Sequence, residues 1–330
     1  MEVLASYELE DRLVEALADP HEFVVAHQAS FFASLESEGV NCDAVRAYAR
    51  TAAFLHLPAI FDPAGLPDTP TAWSPVPSTQ ATLLLQIAVI LVASLLGMES
   101  VSYGSENAGQ LFVNLVTLPG QGAMAEKSQA SMNGHTDAAT FPFRGTTDPT
   151  DARIAPSPDV VFLGALRNPD EVPTVVMPLA GMLTELTERQ VEVLKGDRLV
   201  LLAQRSFEKG TERILGESHS LDGTNVLFDS AEGTWVRYTH SQSHVFDDGD
   251  DEAIEAKATW EGACKKCALQ VVLKPGDLLA VNNRKALHGR GRVGSVIGGQ
   301  SRWLVRSYGL DTTGLESNRR YTDSPHVLFP

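Results

Sequence analysis

The sequence predicts an α+β fold, in which a sandwich or jelly-roll barrel of short strands carries an N-terminal helical layer and inserted helices. Two patterns and one absence predict it. The first hundred residues place apolar side chains at helical spacing, while beyond Gly104 the segments become short, apolar or alternating, and bounded by Gly, Pro, Asn and Asp. No internal repeat, P-loop or G-x-G-x-x-G is visible, and the glycine-rich VGSVIGGQ at 293–300 follows no strand-then-helix pattern and reads as a loop. Residues 1–100 are expected to form a helical layer packed on a catalytic core at 101–330, the two making one integrated domain of 330 residues.

Within the first part, ELEDRLVEALAD, HEFVVAHQASFFASLESEG and CDAVRAYARTAAFLHL read as helices, followed by a proline-rich loop from Pro58 to Pro77. Residues 81–98, ATLLLQIAVILVASLLGM, are nearly long enough to span a bilayer, but Gln86 and Ser94 interrupt them. The nearest basic residues are Arg50 and Lys127, so no flanking cations set an orientation. A helix buried on most sides within a large domain is the expectation. In the second part GQLFVNLVTLPG, PDVVFLGALR, TVVMPLAG, DRLVLLAQ, NVLFDS, GTWVRYTH, LQVVLKPGDLLAVNN and RWLVRSYGL read as strands. Two helical stretches, around TERQVEVLKG and DEAIEAKATWEGACKKC, interrupt them.

Lysine and arginine total 26 and aspartate and glutamate 42, a formal charge of −16. That balance argues against nucleic acid or an anionic membrane surface as partner. Between Arg284 and Arg306, however, six basic residues and no acid make a +6 segment, leaving −22 for the remainder. Such a segment suits a small dicarboxylate. The start MEVLASYELEDRL carries acids where a signal peptide would carry cations, and Cys42, Cys264 and Cys267 cannot form a disulfide framework. The chain reads as cytoplasmic, a monomer or homodimer, acting on a small molecule. Cys264 and Cys267 form one C-x-x-C without two further zinc ligands and read as ordinary thiols at a helix end.

Of nine histidines, only His135, in NGHTDAATFPF, has a carboxylate two positions later. On a strand, His135 and Asp137 would point to one side and could share a metal. Roughly one such match is expected by chance, so the motif is weak alone. His288, in AVNNRKALHGRG, follows a second strand, and Arg302 lies fourteen positions on. Two histidines and a carboxylate suit non-haem iron(II), although zinc hydrolases share the ligand types. An arginine able to grip a carboxylate with two parallel hydrogen bonds fits the distal end of 2-oxoglutarate.

These segments, NGHTDAATFPF, AVNNRKALHGR and RWLVRSYGLD, resemble the iron(II)/2-oxoglutarate oxygenases of the clavaminate synthase-like, taurine dioxygenase-related family, over roughly residues 80–310. The resemblance implies a distorted double-stranded β-helix with extra helices, in which His135, Asp137 and His288 bind iron(II) and Arg302 anchors 2-oxoglutarate with help from Thr174. It also implies O2 as co-reactant and oxidative decarboxylation to succinate and CO2. The carboxylate at 137 favours hydroxylation over chlorination; desaturation or cyclisation remains open. Arg306, four positions after Arg302, is implied to hold the α-carboxylate of an amino acid or close derivative, with Glu106 and Asn107 near its amine. Arginine-hydroxylating members have acids where this chain offers His240 and Gln242, which argues against a guanidinium substrate. His240 and His244 together read as lid or pocket material, and DDGDDE, from Asp247, as a solvated loop. A cupin-type metal isomerase or hydrolase and a non-catalytic barrel holding a small anion are the competing readings.

Overall fold

The computed structural model describes residues 20–330. The expected helix at ELEDRLVEALAD lies outside the described residues. Helices α1 (Pro20–Ser37), α2 (Cys42–Thr51) and α3 (Gln80–Leu95) form the N-terminal layer. The strands in chain order are β1 (Phe54–Leu57), β2 (Glu99–Tyr103), β3 (Val113–Leu115), β4 (Met132–His135), β5 (Val160–Arg167) and β6 (Thr174–Pro178). There follow β7 (Leu199–Leu202), β8 (Ser220–Thr224), β9 (Leu227–Ser230), β10 (Gly233–Val236), β11 (Ser243–Val245) and β12 (Leu269–Val271). The last are β13 (Leu278–Asn282), β14 (Ala286–Arg290), β15 (Trp303–Leu310), β16 (Arg320–Tyr321) and β17 (Ser324–Leu328).

An eight-stranded sheet runs β1-β13-β5-β15-β2-β17-β16, with β3 also paired to β15, and a four-stranded sheet runs β12-β6-β14-β4. The alternation of side chains along the central strands explains the layering. Val160, Phe162, Leu278, Ala280, Trp303 and Val305 pack with the helical layer. Their neighbours Val161, Leu163, Leu279, Val281, Leu304 and Tyr308 form a second cluster with Val176 and Ala286 of the smaller sheet. The two sheets therefore face each other. The outer face of the smaller sheet, at Met177 and Leu287, packs on α5 (Leu179–Leu183), α6 (Glu188–Lys195) and α8 (Asp251–Lys266).

The apolar run is α3, capped by Thr79 in a reciprocal bond with Thr82. It is apolar all round because the big sheet lies on one side and α1 on the other, with Phe23, Val24 and Phe31 joining its cluster. Ser94, the polar residue of the run, donates to Gln28 of α1 at 2.6 Å. The helix approaches so closely that a Cβ on Gly164 of β5 would sit 2.7 Å from Leu85. No helix among the described residues is long and apolar enough to cross a membrane.

Two local expectations fail. The third helix does not run through FLHL: it ends at Thr51, where Asn282 of β13 donates to the Ala49 carbonyl at 2.9 Å. Residues 54–57 instead become the edge strand β1, in register with β13 from Phe54↔Val281 to Leu57↔Leu278. Beyond residue 101 the described chain has five α-helices, not two, adding α4 (Ala123–Gln129), α5 and α7 (Arg205–Leu215). Two are too short to form on propensity, and α7 carries Gly210 in its middle; packing holds them.

Candidate metal centre and active site

His135 and His288 sit directly opposite each other, on β4 and β14. Their rings tilt together with centroids 4.4 Å apart. Asp137 lies in the turn just past β4, so strand alternation is not what aims its carboxylate, contrary to the sequence expectation. The turn does so. Asn283 accepts from the Asp137 N–H at 2.9 Å and donates to its carbonyl at 3.0 Å, and Gln204 accepts from the next N–H at 2.8 Å. Ala138 follows with φ of 53°. The carboxylate then stands 3.8 Å from His135 Nε2 and 3.6 Å from His288 Nε2.

One donor atom from each residue lies within 4.8 Å of the others, and this is the one such cluster among the described residues. The donor set fits a divalent metal. The Asn133 carbonyl lies 3.0 Å from His135 Nδ1, which presents Nε2 toward the cluster. Burial, and next the neighbouring His288, push His135 down to about 4, keeping it neutral as a ligand must be. Burial alone would raise the Asp137 carboxyl, but His288, then Arg306 and His135, outweigh it and hold it below its ordinary range.

A cavity of about 430 Å³ opens from this cluster between the two sheets. Arg302, immediately before β15, lines it at 4% exposure and makes no hydrogen bond or ion pair among the described residues; its Nε is buried without a partner. Burial and the like charge of Arg290 push this guanidinium down to about 9. An orphaned buried cation of this kind fits a carboxylate ligand. Thr174, buried on β6, also lines the cavity, opposite Arg290 of β14. Arg290, which the sequence reading did not single out, donates only to the carbonyls of Lys127 and Ala130, at 2.8 and 2.9 Å.

Arg306 shares the inner face with Arg302, as the strand spacing predicts. It is not free: it donates to both oxygens of the buried Glu106, at 3.0 and 2.6 Å, and Tyr308 donates to the same carboxylate at 3.0 Å. Glu106 outweighs the effect of burial and raises the Arg306 pKa. The two residues expected to hold the carboxylate and the amine of one amino acid are thus paired with each other. Asn107 lines the cavity in a left-handed turn, φ 47°, continued by Ala108 at 56°.

His240 and Gln242 line the cavity as well, on the turn bridged to His135 through Thr239. His244 does not: it lies on β11 opposite Val200 with its side chain exposed, because the chain has become a strand there. The acidic run supplies the N-cap of α8, where Asp250 accepts from Ala253 and pairs with Arg198. Cys264 is buried in α8 and pushed up to about 12 by burial, and Cys267 is the C-cap. Of the +6 segment, Arg290, Arg302 and Arg306 reach the cavity. Arg284 is instead buried against Asp159 at 3.0 Å, and Lys285 donates to the Glu232 and Thr234 carbonyls. The sequence reading also did not single out Asn283, although it lies within AVNNRKALHGR, nor Gln204, Lys127 or Arg205, which belong to no motif; their roles depend on which segments meet at β4.

No protein-family model matches the chain. It is 27% identical over 255 residues to enduracididine beta-hydroxylase of Streptomyces hygroscopicus, covering 70% of this chain and 68% of that protein. It is 26% identical to L-lysine 3-hydroxylase of Catenulispora acidiphila (74% and 63% covered) and 24% to clavaminate synthase 2 of Streptomyces clavuligerus (75% and 70%). Among solved structures, the non-heme iron oxygenase OrfP with Fe, succinate and (3S)-hydroxy-L-Arg matches at TM-score 0.77 with 22% identity, covering 99% of this chain and 97% of that one. Asparagine oxygenase with Fe(II), 2S,3S-3-hydroxyasparagine and succinate matches at 0.71 with 21% identity, covering 88% and 84%. The fold is that of non-haem iron oxygenases of known structure. The sequence is similar to those of two amino-acid hydroxylases and of clavaminate synthase 2, consistent with the clavaminate synthase-like family.

Proposed function

We propose that the chain is an iron(II)/2-oxoglutarate-dependent hydroxylase of a free amino acid or close derivative, its two facing sheets forming the distorted double-stranded β-helix of that family. The observation that carries the reading is the orphaned Arg302 guanidinium in the same cavity as the two-histidine, one-carboxylate cluster. A metal isomerase or hydrolase on the same scaffold would have no use for that cation.

In this reading His135, Asp137 and His288 hold iron(II), and Arg302, with Thr174 and Arg290 beside it, holds the distal carboxylate of 2-oxoglutarate. When bound, iron, 2-oxoglutarate and O2 supply oxidative decarboxylation to succinate and CO2 together with oxidation of a C–H bond. The chain's own work is positioning. A zwitterionic α-amino acid would exchange the Arg306–Glu106 pair for two new ones, its carboxylate on Arg306 and its ammonium on Glu106 with Asn107 alongside. His240 and Gln242 would face the rest of the substrate. The relatives named for amino-acid hydroxylation support this substrate class.

Anaerobic addition of iron(II) and 2-oxoglutarate should develop the weak visible charge-transfer band of the chelate. Succinate formation in air should then be stimulated by free amino acids. A wild-type protein without the band, or His135→Ala with an unchanged band, would refute the assignment.

A further inference from the structure

Lys127, on α4, lines the cavity half-buried, and its ammonium makes no hydrogen bond or ion pair among the described residues. The charges it faces place it within the site: Glu106 and Asp137 attract it, Arg306 and Arg205 repel it, and burial pushes its pKa down. Both acids are otherwise engaged, Glu106 with Arg306 and Tyr308 and Asp137 with the two histidines. Arg205, at the start of α7, is a second cation at the rim of the cavity, solvent-exposed and without an ion-pair partner among the described residues. The one remaining carboxylate of the lining, Glu126, is solvent-exposed.

We infer that the cavity takes an α-amino acid whose side chain ends in a carboxylate, held by Lys127 with Arg205 behind it. The inference rests on the amino-acid oxygenase reading above and adds the substrate's side-chain class. With Arg302 given to the cosubstrate and Arg306 to the α-carboxylate, Lys127 is left as a half-buried cation without counter-charge, and the exposed Arg205 adds positive charge behind it. A basic side chain would bring a further cation against them in a partly desolvated space, whereas a carboxylate satisfies the ammonium directly. An amide would supply the acceptor but leave the charge uncompensated. The relatives are named for enduracididine and L-lysine, so the inferred preference has the opposite sign from the L-lysine enzyme's.

The test uses the iron- and 2-oxoglutarate-loaded protein under nitrogen, titrated calorimetrically with L-aspartate, L-glutamate, L-asparagine, L-glutamine, L-lysine and L-arginine, and the same six assayed for succinate formation in air. One of the two acids should bind at least about tenfold tighter than its amide or either basic amino acid. Lys127→Met should lose roughly tenfold to a hundredfold of that affinity while its 2-oxoglutarate affinity stays unchanged, and Lys127→Arg should recover most of it. Tighter binding of a basic amino acid or an amide by the wild type, or a Lys127→Met variant that binds the acid normally or loses 2-oxoglutarate instead, overturns the inference. Because the wild-type panel decides it alone, a variant that does not fold leaves the test intact. No chelate band in the wild type would sink the oxygenase reading and this one together; a band without acid preference would sink only this one.

Discussion

Asn283 clamps the backbone of Asp137 from both sides, accepting from its N–H at 2.9 Å and donating to its carbonyl at 3.0 Å across 146 residues of sequence. A second bond from the same amide reaches the Pro158 carbonyl at 2.9 Å. The Asp137 carboxylate, a ligand in the proposed metal centre, is therefore aimed by a residue on the turn between β13 and β14, the same turn that leads into His288. Asn283→Ala should leave the far-UV circular dichroism spectrum unchanged but weaken metal binding roughly 10- to 100-fold, measured by titration with iron(II) or manganese(II) under nitrogen.

The orphaned Arg302 should be a liability when nothing is bound. Replacing it with methionine removes a buried, unpaired cation, so Arg302→Met should raise the Tm of the unliganded protein, on the order of 2–4 °C. In the wild type, 2-oxoglutarate at 100 times its Kd should add about 2.7 kcal/mol of stability, and in the variant none. Thermal melts with and without 2-oxoglutarate read both effects. A variant that is destabilised without ligand would mean that Arg302 is structural.

Gly210 of α7 lets the helix touch the chain just before Glu106: a Cβ there would lie 1.6 Å from the Ser105 carbonyl oxygen. Gly210→Ala improves helix propensity yet should destabilise the protein by about 1–3 kcal/mol through overpacking. On the proposed reading it should also raise KM for the amino acid by displacing Glu106, while the affinity for 2-oxoglutarate, assigned there to Arg302, changes little.

Asp148 is buried 3.0 Å from His219 Nε2, and its other oxygen accepts from Thr150 and Asp151. Burial would raise its carboxyl, but His219 and the Thr150 hydrogen bonds outweigh that and hold it below the ordinary carboxylate range. A lowered folded-state pKa contributes stability that is present above the ordinary carboxylate range and lost as the pH falls through the folded value. Asp148→Asn should thus lower stability by about 1–3 kcal/mol at neutral pH and make the acid limb of a Tm-versus-pH curve shallower.

Much of the site was legible one strand at a time. RWLVRSYGL reads as a strand, so Arg302 and Arg306, four apart, were expected on one face, and both line the cavity. The apolar run at 81–98 was readable as a buried helix because it lacks flanking cations. What was not legible depends on contacts between distant segments. FLHL became a strand because β13 offered it an edge. His244 turned outward because β11 pairs with β7. Helix α4, which carries Lys127, is too short to have a readable pattern; α7, which carries Arg205, is amphipathic, but Gly210 in its middle masks it.

By itself, the sequence determined the chemistry available: two imidazoles and a carboxylate in H-x-D and HGR settings, two arginines four apart on one strand, and an acidic chain with one basic segment. The tertiary structure decided which of these groups are partners. It paired His135 with His288 in one register, moved Asp137 off the strand into a turn held by Asn283, closed Arg306 onto Glu106, and left Arg302 and Lys127 unpaired in the same cavity. The physical reason is that periodicity records which face of an element is buried, whereas the element opposite that face is set by the pairing of strands far apart in the chain.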